Sequence, residues 1–356
     1  MLPAENVTCL VFMMFCSSFA AIAQDEAVDI KRYDKEQKVE VLIGGKPFTT
    51  FMYPDSLEKP VLYPLRTAGG KVVTRGFPLD PRPGDPTDHP HHIGLWFNFE
   101  NVNGLDFWNN SYAIPAAKKS HYGWIRTKNI KEVRSGKSGV LAYTADWTDQ
   151  AGHVILTETT RFVFSGSKTT RQIDRITTLK AVQVALFKDA KDGLLGLRLA
   201  HELQMPTQKD ESFSDSKGIV TVVKGGSDQV PTGNYITSEG KTGNDAWSSR
   251  AVWCNAFGKI GADSVSVTII DHPDNPSYPT FWHARGYGLF AANPLGEQIF
   301  TNGLSAKNLK LEKGKSVTFK FRILINQGTQ TPSKQLLNAS AKSFAGMYLS
   351  NEQKSK

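Results

Sequence analysis

The chain has 356 residues and a formal charge of +8, from 42 Lys and Arg against 34 Asp and Glu. Its cations are scattered, with no long basic run and no basic run interleaved with aromatic residues, which argues against nucleic-acid binding. The length and the 40% hydrophobic content suffice for one large β-domain or two smaller ones.

The N-terminus predicts an export signal. An apolar run over residues 9–21 ends in Ala21-Ile22-Ala23, a small-x-small cleavage pattern. We therefore expect residues 1–23 to be a signal peptide and residues 24–356 to form one β-domain that is periplasmic or secreted. Two of the three cysteines leave with the signal, so the remaining Cys254 permits no intramolecular disulfide. No later apolar run approaches the roughly 20 residues that cross a bilayer.

Two-residue alternation is the main rhythm of the chain. In residues 317–325 apolar side chains fall on every odd position, while Thr318, Lys320 and Arg322 fall on even ones, which is typical of a half-buried antiparallel strand. Residues 265–270 repeat the pattern, and Gly44-Gly45 separates two β-rich runs as a hairpin turn requires. Many short strands and almost no helix predict an all-β fold, a large antiparallel β-sandwich.

One short helix is predicted near the C-terminus, at residues 332–345. Thr331 suits the N-cap and Pro332 suits the first helical position. We expect the helix to cap the edge of a sheet. Four apolar residues can share one face of it: Leu336, Leu337, Ala341 and Phe344.

Three of the eight histidines lie within four residues, in Asp88-His89-Pro90-His91-His92. A histidine can carry a proton near neutral pH or bind a metal, so this density beside Arg75 favours acid–base chemistry, metal binding or substrate clamping. A rigid polar loop is the structural alternative, because three prolines lie within residues 81–86. A metal on His89, His91 and His92 would suit Zn, Fe or Cu, although no sharp metal motif is present.

Strand parity from His89 onward separates two faces. One face is core-like and would carry His89, His91, Ile93, Leu95, Phe97 and Phe99. The other would carry Pro90, His92, Gly94, Trp96, Asn98 and Glu100. We therefore expect His92, Trp96 and Asn98 to line a cleft. For Trp96, ordinary core packing is the alternative.

A turn at Asn103-Gly104 is followed by Asp106 and Trp108. Aromatic faces stack on sugar rings, and Asp or Asn side chains bind hydroxyl groups, so this composition is compatible with carbohydrate. It is equally compatible with a well-made turn.

A second polar cluster follows a proline-rich loop that starts at Asp271. There His283, Arg285 and Tyr287 share one strand parity, and three polar groups in phase are costly in a core unless they are paired. We expect them to line a wet cleft or to bind a ligand. Asp271 itself follows an apolar phase, which predicts a buried carboxylate that anchors the loop.

Five segments resemble an exported bacterial family that carries the name PmoA, after a methane monooxygenase subunit. They are Asp88-His-Pro-His-His-Ile-Gly-Leu-Trp96, Asn103-Gly-Leu-Asp-Phe-Trp108, residues 233–240, Asp271-His-Pro273 and residues 282–294. The monooxygenase name is misleading, because such a subunit needs several transmembrane helices. The resemblance implies a galactose-mutarotase-like β-supersandwich, a fold whose members bind sugars on a concave sheet face and include epimerases, lyases and hydrolases.

We therefore expect a carbohydrate-active enzyme of epimerase, lyase or hydrolase type, in which His92 and His283 transfer protons. Its partner would be a carbohydrate or glycan, with no assured cofactor. A non-catalytic glycan-binding module is one alternative, and an oxidoreductase or lyase that uses a divalent metal on the histidine cluster is another. The expected substrate-binding residues are Arg75, Trp96, Asn98, Asp106, Trp108, Arg285 and Tyr287.

Overall fold

The computed structural model describes residues 25–82, 85–214, 220–223 and 231–348, so the predicted signal peptide lies outside the described residues. The strands are β1 (Val28–Tyr33), β2 (Lys38–Ile43), β3 (Lys46–Met52), β4 (Val61–Leu62), β5 (Leu95–Phe99), β6 (Trp124–Arg134), β7 (Gly139–Thr148), β8 (Val154–Gly166), β9 (Thr170–Ala181), β10 (Ala185–Phe187), β11 (Gly193–Arg198), β12 (Glu211–Ser214), β13 (Val220–Val223), β14 (Asn234–Thr237), β15 (Trp253–Ile260), β16 (Asp263–Asp271), β17 (Phe281–Ala284), β18 (Leu289–Asn293), β19 (Leu309–Leu311) and β20 (Ser316–Gly328). Short 3-10 helices cover Ala116–His121, His201–Leu203 and Gly243–Ala246, and the α-helix α1 covers Lys334–Ala345.

Two eight-stranded antiparallel sheets make up the body of the fold. The first sheet has the order β1-β2-β3-β4-β5-β11-β18-β17, and the second has the order β14-β15-β16-β20-β9-β8-β7-β6. Two small sheets pair β10 with β19 and β12 with β13. The predicted all-β antiparallel sandwich with a short C-terminal helix is confirmed.

A continuous hydrophobic core joins the two sheets. Phe97 of the first sheet packs against Phe319 and Trp147 of the second, with ring centroids 5.8 Å and 6.4 Å apart. In β20 the odd-numbered residues from Phe319 to Ile325 enter this core, as the alternation of residues 317–325 predicts. The opposite faces of both sheets are left to carry other contacts.

A buried ion pair lies in this core beneath β5. Arg175 Nη2 is 2.9 Å from Glu158 Oε1, and the Arg175 guanidinium lies 4.6 Å from the centroid of the Phe97 ring. Tyr143 and Trp147 also donate hydrogen bonds to Glu158. The strand that carries Trp96 is therefore supported from its core side by a hydrogen-bonded polar cluster.

Helix α1 begins later than the sequence predicts. Ser333, not Thr331, is the N-cap, because its side chain accepts a hydrogen bond from the Leu336 backbone N–H at 3.3 Å. Pro332 therefore precedes the helix instead of opening it. The predicted face is also wrong at Leu336, which is 65% exposed.

The buried residues of α1 lie on the outer face of the second sheet. Leu337, Ala341 and Phe344 pack with Trp253, Ile270 and Leu324. These partners belong to β15, β16 and β20, which are interior strands of that sheet. The expectation that the helix caps a sheet edge is wrong, because it covers the face of the sheet.

Candidate active site

One row of residues crosses the outer face of the first sheet. Trp96 pairs with Gly196, Gly196 with Ala291, and Ala291 with His283. Residues directly opposite each other in antiparallel strands point to the same face. Trp96 and His283, nearly two hundred residues apart in sequence, therefore share one face and lie about 14 Å apart, three strand spacings.

Two tryptophans form the floor at one end of this row. The Trp96 and Trp108 ring centroids are 5.1 Å apart, and both side chains are buried. A Cβ on Gly196 would lie 2.4 Å from the Trp96 ring and 2.8 Å from the Trp108 ring, so only glycine fits beneath them. The neighbouring Asn98 is buried and donates a hydrogen bond to the Phe107 carbonyl, which fixes the segment that carries Trp108.

The histidine loop is wrapped around the guanidinium of Arg75. The Arg75 side chain is fully buried, and both of its Nη atoms donate hydrogen bonds to the loop. The acceptors are the carbonyls of Pro86, Asp88, His89 and His92 and the carboxylate of Asp88. Arg75 therefore positions this loop, and its Nη groups are not left open for a substrate.

Asp88 bridges two buried arginines. Its Oδ1 atom lies 2.8 Å from Arg75 Nη1 and 2.9 Å from Arg198 Nη2, and its Oδ2 atom accepts a hydrogen bond from His89 Nδ1. Burial alone would raise the pKa of Asp88, but the hydrogen bond from His89 and the charges of Arg198 and Arg75 lower it well below its usual value. Asp88 is thus a carboxylate throughout the neutral range.

Four rings form a column above the loop. Tyr287 stacks on His89 at 5.6 Å, His89 on His92 at 4.9 Å, and His92 on Trp96 at 5.1 Å between centroids. The planes deviate by 6°, 2° and 14° respectively. The column fixes the ring plane of His89, the one histidine of the loop whose side chain is substantially exposed, at 44%.

The parity prediction holds only from Leu95 onward. Strand β5 begins there, and Leu95, Phe97 and Phe99 face the core. Before it, His89 (φ 46°) and Gly94 (φ 55°) have left-handed backbones, which break the alternation. The ring of His91 consequently packs against that of His92, with 4.2 Å between centroids. Ile93 packs in the cluster that contains Trp96 and not in the main core between the sheets.

His91 and His92 are buried and neutral. Burial, together with the positive charges around them, lowers the pKa of each well below its usual value. Arg198 Nη1 lies 3.2 Å from His92 Nδ1, which therefore acts as an acceptor. The Nε2 atoms of both rings have no hydrogen-bond partner among the described residues.

The other end of the row is acidic. His283 is buried, its Nδ1 lies 3.4 Å from Asp192 Oδ1, and burial with the charges of Lys191 and Arg285 lowers the pKa of His283 to about 3. Burial raises the pKa of Asp192 and also that of Glu100, to which the charge of Asp192 adds. The Asp192 side chain is 13% exposed, so it reaches the surface where His283 does not.

Asp106 belongs to this acidic end. Burial raises its pKa, and its two carboxylate oxygens accept hydrogen bonds from the Asn109 backbone and side chain at 2.9 Å and 2.8 Å. Much of the carboxylate is therefore used to hold its own turn. This geometry agrees with the turn alternative that the sequence left open.

Charges at the two ends of this row influence one another. Burial has the largest influence on the pKa of Asp192, but the charge of Asp106 also raises it and that of His89 lowers it. Burial likewise dominates the pKa of Tyr287, which the charges of Asp192 and Asp88 raise further. Charged groups at the two ends therefore lie close enough to affect each other's pKa.

Arg285 and Tyr287 lie outside the strand that carries His283. β17 ends at Ala284, and a turn leads into β18. In this turn the Arg285 N–H donates a hydrogen bond to the Leu289 carbonyl, and the Gly288 N–H donates one to the Arg285 carbonyl. The predicted common parity of the three residues is therefore wrong. Arg285 and Tyr287 instead line a cavity of about 930 Å³ that adjoins the ring column.

Several residues of the site were not singled out from the sequence. Arg198 is fully buried on the outer face of β11, and Lys59 donates a hydrogen bond to the His91 carbonyl at 2.8 Å. Burial lowers the pKa of Lys59 to about 8. For Arg198 a signal exists, since it alternates with Leu197 and Leu199 in an otherwise apolar strand. Lys59 and Asp192 lie in loops without periodicity and offer none.

The histidines do not converge on one point. Within the described residues no group of three or more His, Cys, Asp or Glu side chains has a geometry that could hold a metal ion. His89 and His92 stack face to face, and Arg198 occupies the Nδ1 side of His92.

The predicted loop anchor Asp271 is confirmed, since its buried carboxylate accepts hydrogen bonds from His272, Asn275 and Thr280.

A family model matches residues 38–341, and it describes a family of unknown function, DUF6807. The chain belongs to this family. The match carries no monooxygenase name, so the resemblance to the PmoA-like family is not supported by it. No curated protein matches the sequence. In the described residues, none of the helices has the length and apolar character needed to span a membrane.

Solved structures match the fold only distantly. A GH36 α-galactosidase, AgaB of Geobacillus stearothermophilus, is 10% identical with a TM-score of 0.39, over 85% of this chain and 41% of that one. Heparan sulfate lyase HepC of Pedobacter heparinus is 10% identical with a TM-score of 0.33, over 88% and 37%. Slr1438 of Synechocystis sp. PCC 6803 is 8% identical with a TM-score of 0.30, over 91% and 100%. This chain spans less than half of the two enzymes.

Proposed function

We propose that this protein is a carbohydrate-active enzyme, of epimerase, lyase or hydrolase type, in which His89 and Asp192 transfer the protons. The observation that carries the proposal is the exposed His89 ring, hydrogen-bonded to Asp88 and held in a column of rings on the same sheet face as Asp192. With an export signal at residues 1–23, the activity would be periplasmic or secreted.

The chemistry follows from the two environments. A hydrogen bond from Nδ1 to the Asp88 carboxylate leaves the lone pair on Nε2 of His89, which can then take a proton from a substrate. Asp192 would supply the second proton, and burial raises its pKa in the direction that a proton donor requires. The role first expected for His92 and His283 passes to these groups, because both histidines are at most 2% exposed.

Carbohydrate is the substrate class that the composition of the site favours. Tyr287 presents an aromatic ring beside His89, and Asp192 and Glu100 offer acceptors for hydroxyl groups. Several buried polar atoms on this face lack a partner among the described residues, as expected where a polar ligand completes the site. They include His91 Nε2, His92 Nε2, Trp96 Nε1 and Asn98 Oδ1.

The test is the turnover of a panel of oligosaccharides by the wild type and by His89→Gln. General acid–base catalysis contributes about 10²–10⁴-fold, so we expect turnover to fall at least 100-fold with an unchanged Tm. His153→Gln is the matched control, because His153 is exposed and similarly paired, 2.9 Å from Asp149. It should retain full activity.

Two results would contradict the proposal. If a folded His283→Gln protein loses turnover while His89→Gln retains it, the buried histidine transfers the proton. If the wild type binds oligosaccharides but returns every one unchanged, the protein is a glycan-binding module.

A further inference from the structure

The guanidinium of Arg285 lies against two aromatic rings. Its guanidinium carbon lies 5.5 Å from the centroid of the Trp247 ring and 5.9 Å from that of Tyr287. Arginine stacks readily on aromatic faces and keeps its N–H fork free in that position. Among the described residues, no side chain forms an ion pair or a hydrogen bond with this guanidinium, although the side chain is exposed.

The cavity beside Arg285 has a one-sided charge. Among the described residues that line its volume of about 930 Å³, Arg285 is the one charged side chain. The other lining residues are polar, aromatic or aliphatic, and include Asn244, Trp247 and Tyr287. A cavity of this kind favours a ligand with negative charge.

Two further donors in the wall lack acceptors. Gln204 Nε2 and Trp247 Nε1 are buried N–H groups with no hydrogen-bond partner among the described residues. Leaving a buried donor without a partner is unfavourable, so an acceptor is expected to complete it. An unpaired guanidinium and two unpaired N–H donors together match an oxyanion, which only accepts hydrogen bonds.

We propose that this cavity is a subsite for an anionic group of the substrate, a carboxylate or sulfate carried by the sugar. The inference rests on the proposed function and specifies its substrate class as an acidic glycan. Tyr287 links the two places, because its ring stacks on His89 and lies against Arg285. The anionic group therefore binds beside the reacting atoms and orients the sugar toward His89.

The first test probes the subsite directly. The indole N–H resonance of Trp247 in the full chain, assigned by comparison with Trp247→Phe, is followed by NMR during titration with sodium glucuronate, sodium sulfate and glucose at constant ionic strength. We expect saturable shifts with glucuronate or sulfate and none with glucose. Arg285→Gln should weaken anion binding at least 10-fold. Arg134→Gln, an exposed arginine of the same charge that pairs with Glu132, should leave anion binding unchanged.

The outcomes separate the subsite from the catalytic proposal. If neither anion gives a saturable shift, if glucose shifts the resonance equally, or if Arg285→Gln binds as tightly as the wild type, the subsite is wrong. Saturable anion binding that persists in His89→Gln, in a protein that turns over no glycan, leaves the subsite standing and refutes the enzyme. Turnover that depends on His89 but not on Arg285 or substrate charge refutes the subsite alone.

Discussion

Replacing Asp88 with Asn tests the electrostatic centre of the site. Among the described residues, Asp88 is the only carboxylate paired with either Arg75 or Arg198, and both arginine side chains are 0% exposed. Removing one partner of a buried ion pair costs about 3–5 kcal/mol, because the remaining charge stays buried. With an unfolding entropy of about 2.1 cal/mol/K per residue over about 320 residues, that loss lowers Tm by roughly 4–7 °C.

The pH dependence of the loss has a definite sign. The pKa of Asp88 is lower in the folded protein than in the unfolded chain, where it is about 3.9. The contribution of Asp88 to the free energy of unfolding is therefore complete above the unfolded pKa and is lost as pH falls through the folded pKa. The difference in unfolding free energy between the wild type and Asp88→Asn should therefore be constant from about pH 5 to 8 and shrink below about pH 4.

Urea unfolding at pH 7 and pH 3.5 measures both effects. Asp85→Asn is the matched control, because Asp85 is buried in the same loop but pairs at 3.5 Å with Arg82, whose side chain is 30% exposed. We expect this control to lower the free energy of unfolding by about 1–2 kcal/mol, mainly because the Asp85 carboxylate accepts a hydrogen bond from the Gly76 N–H. If Asp88→Asn costs no more than Asp85→Asn, the two buried arginines do not depend on Asp88 and the reasoning fails.

Two further substitutions test neighbouring contacts. Burial lowers the pKa of Lys59 to about 8 in the folded protein, so between about pH 8 and 10 the unfolded chain holds a proton that the folded chain has lost. The free energy of unfolding of the wild type should therefore rise by about 2–3 kcal/mol between pH 7 and 10, and Lys59→Met should remove this rise. An equal pH dependence in both proteins, measured by urea unfolding, would contradict this. Gly196→Ala should cost about 1–3 kcal/mol and change the tryptophan fluorescence, since the new methyl group overlaps Trp96. An unchanged spectrum and stability would show that the floor is looser than described.

The fold was predictable where alternation is strict. The odd and even residues of 317–325 separate into core and outer positions as expected, because both faces of β20 are covered by different layers. The start of helix α1 was not predictable from Thr331 and Pro332, since Ser333 offers an equally good cap closer to the buried face. That residues 24–356 form one domain stays a prediction.

The site was predictable in location but not in detail. The histidine cluster and His283 do lie on one sheet face, yet parity misplaced His91 because left-handed residues precede β5. The role of Asp192 depends on contacts with residues distant in sequence, so no local pattern reveals it. The sequence also predicted that Arg75 binds substrate, whereas its guanidinium is buried and donates hydrogen bonds to backbone carbonyls of the histidine loop.

The column of stacked rings has a stereochemical consequence. The lone pair on a ring nitrogen lies in the plane of the imidazole, and the rings of Tyr287 and His92 both stack on His89. A proton can therefore reach or leave His89 only along the edge of the ring. Any substrate atom that exchanges a proton with it must approach from the side of the column, which selects one face of the incoming molecule before any specific hydrogen bond forms.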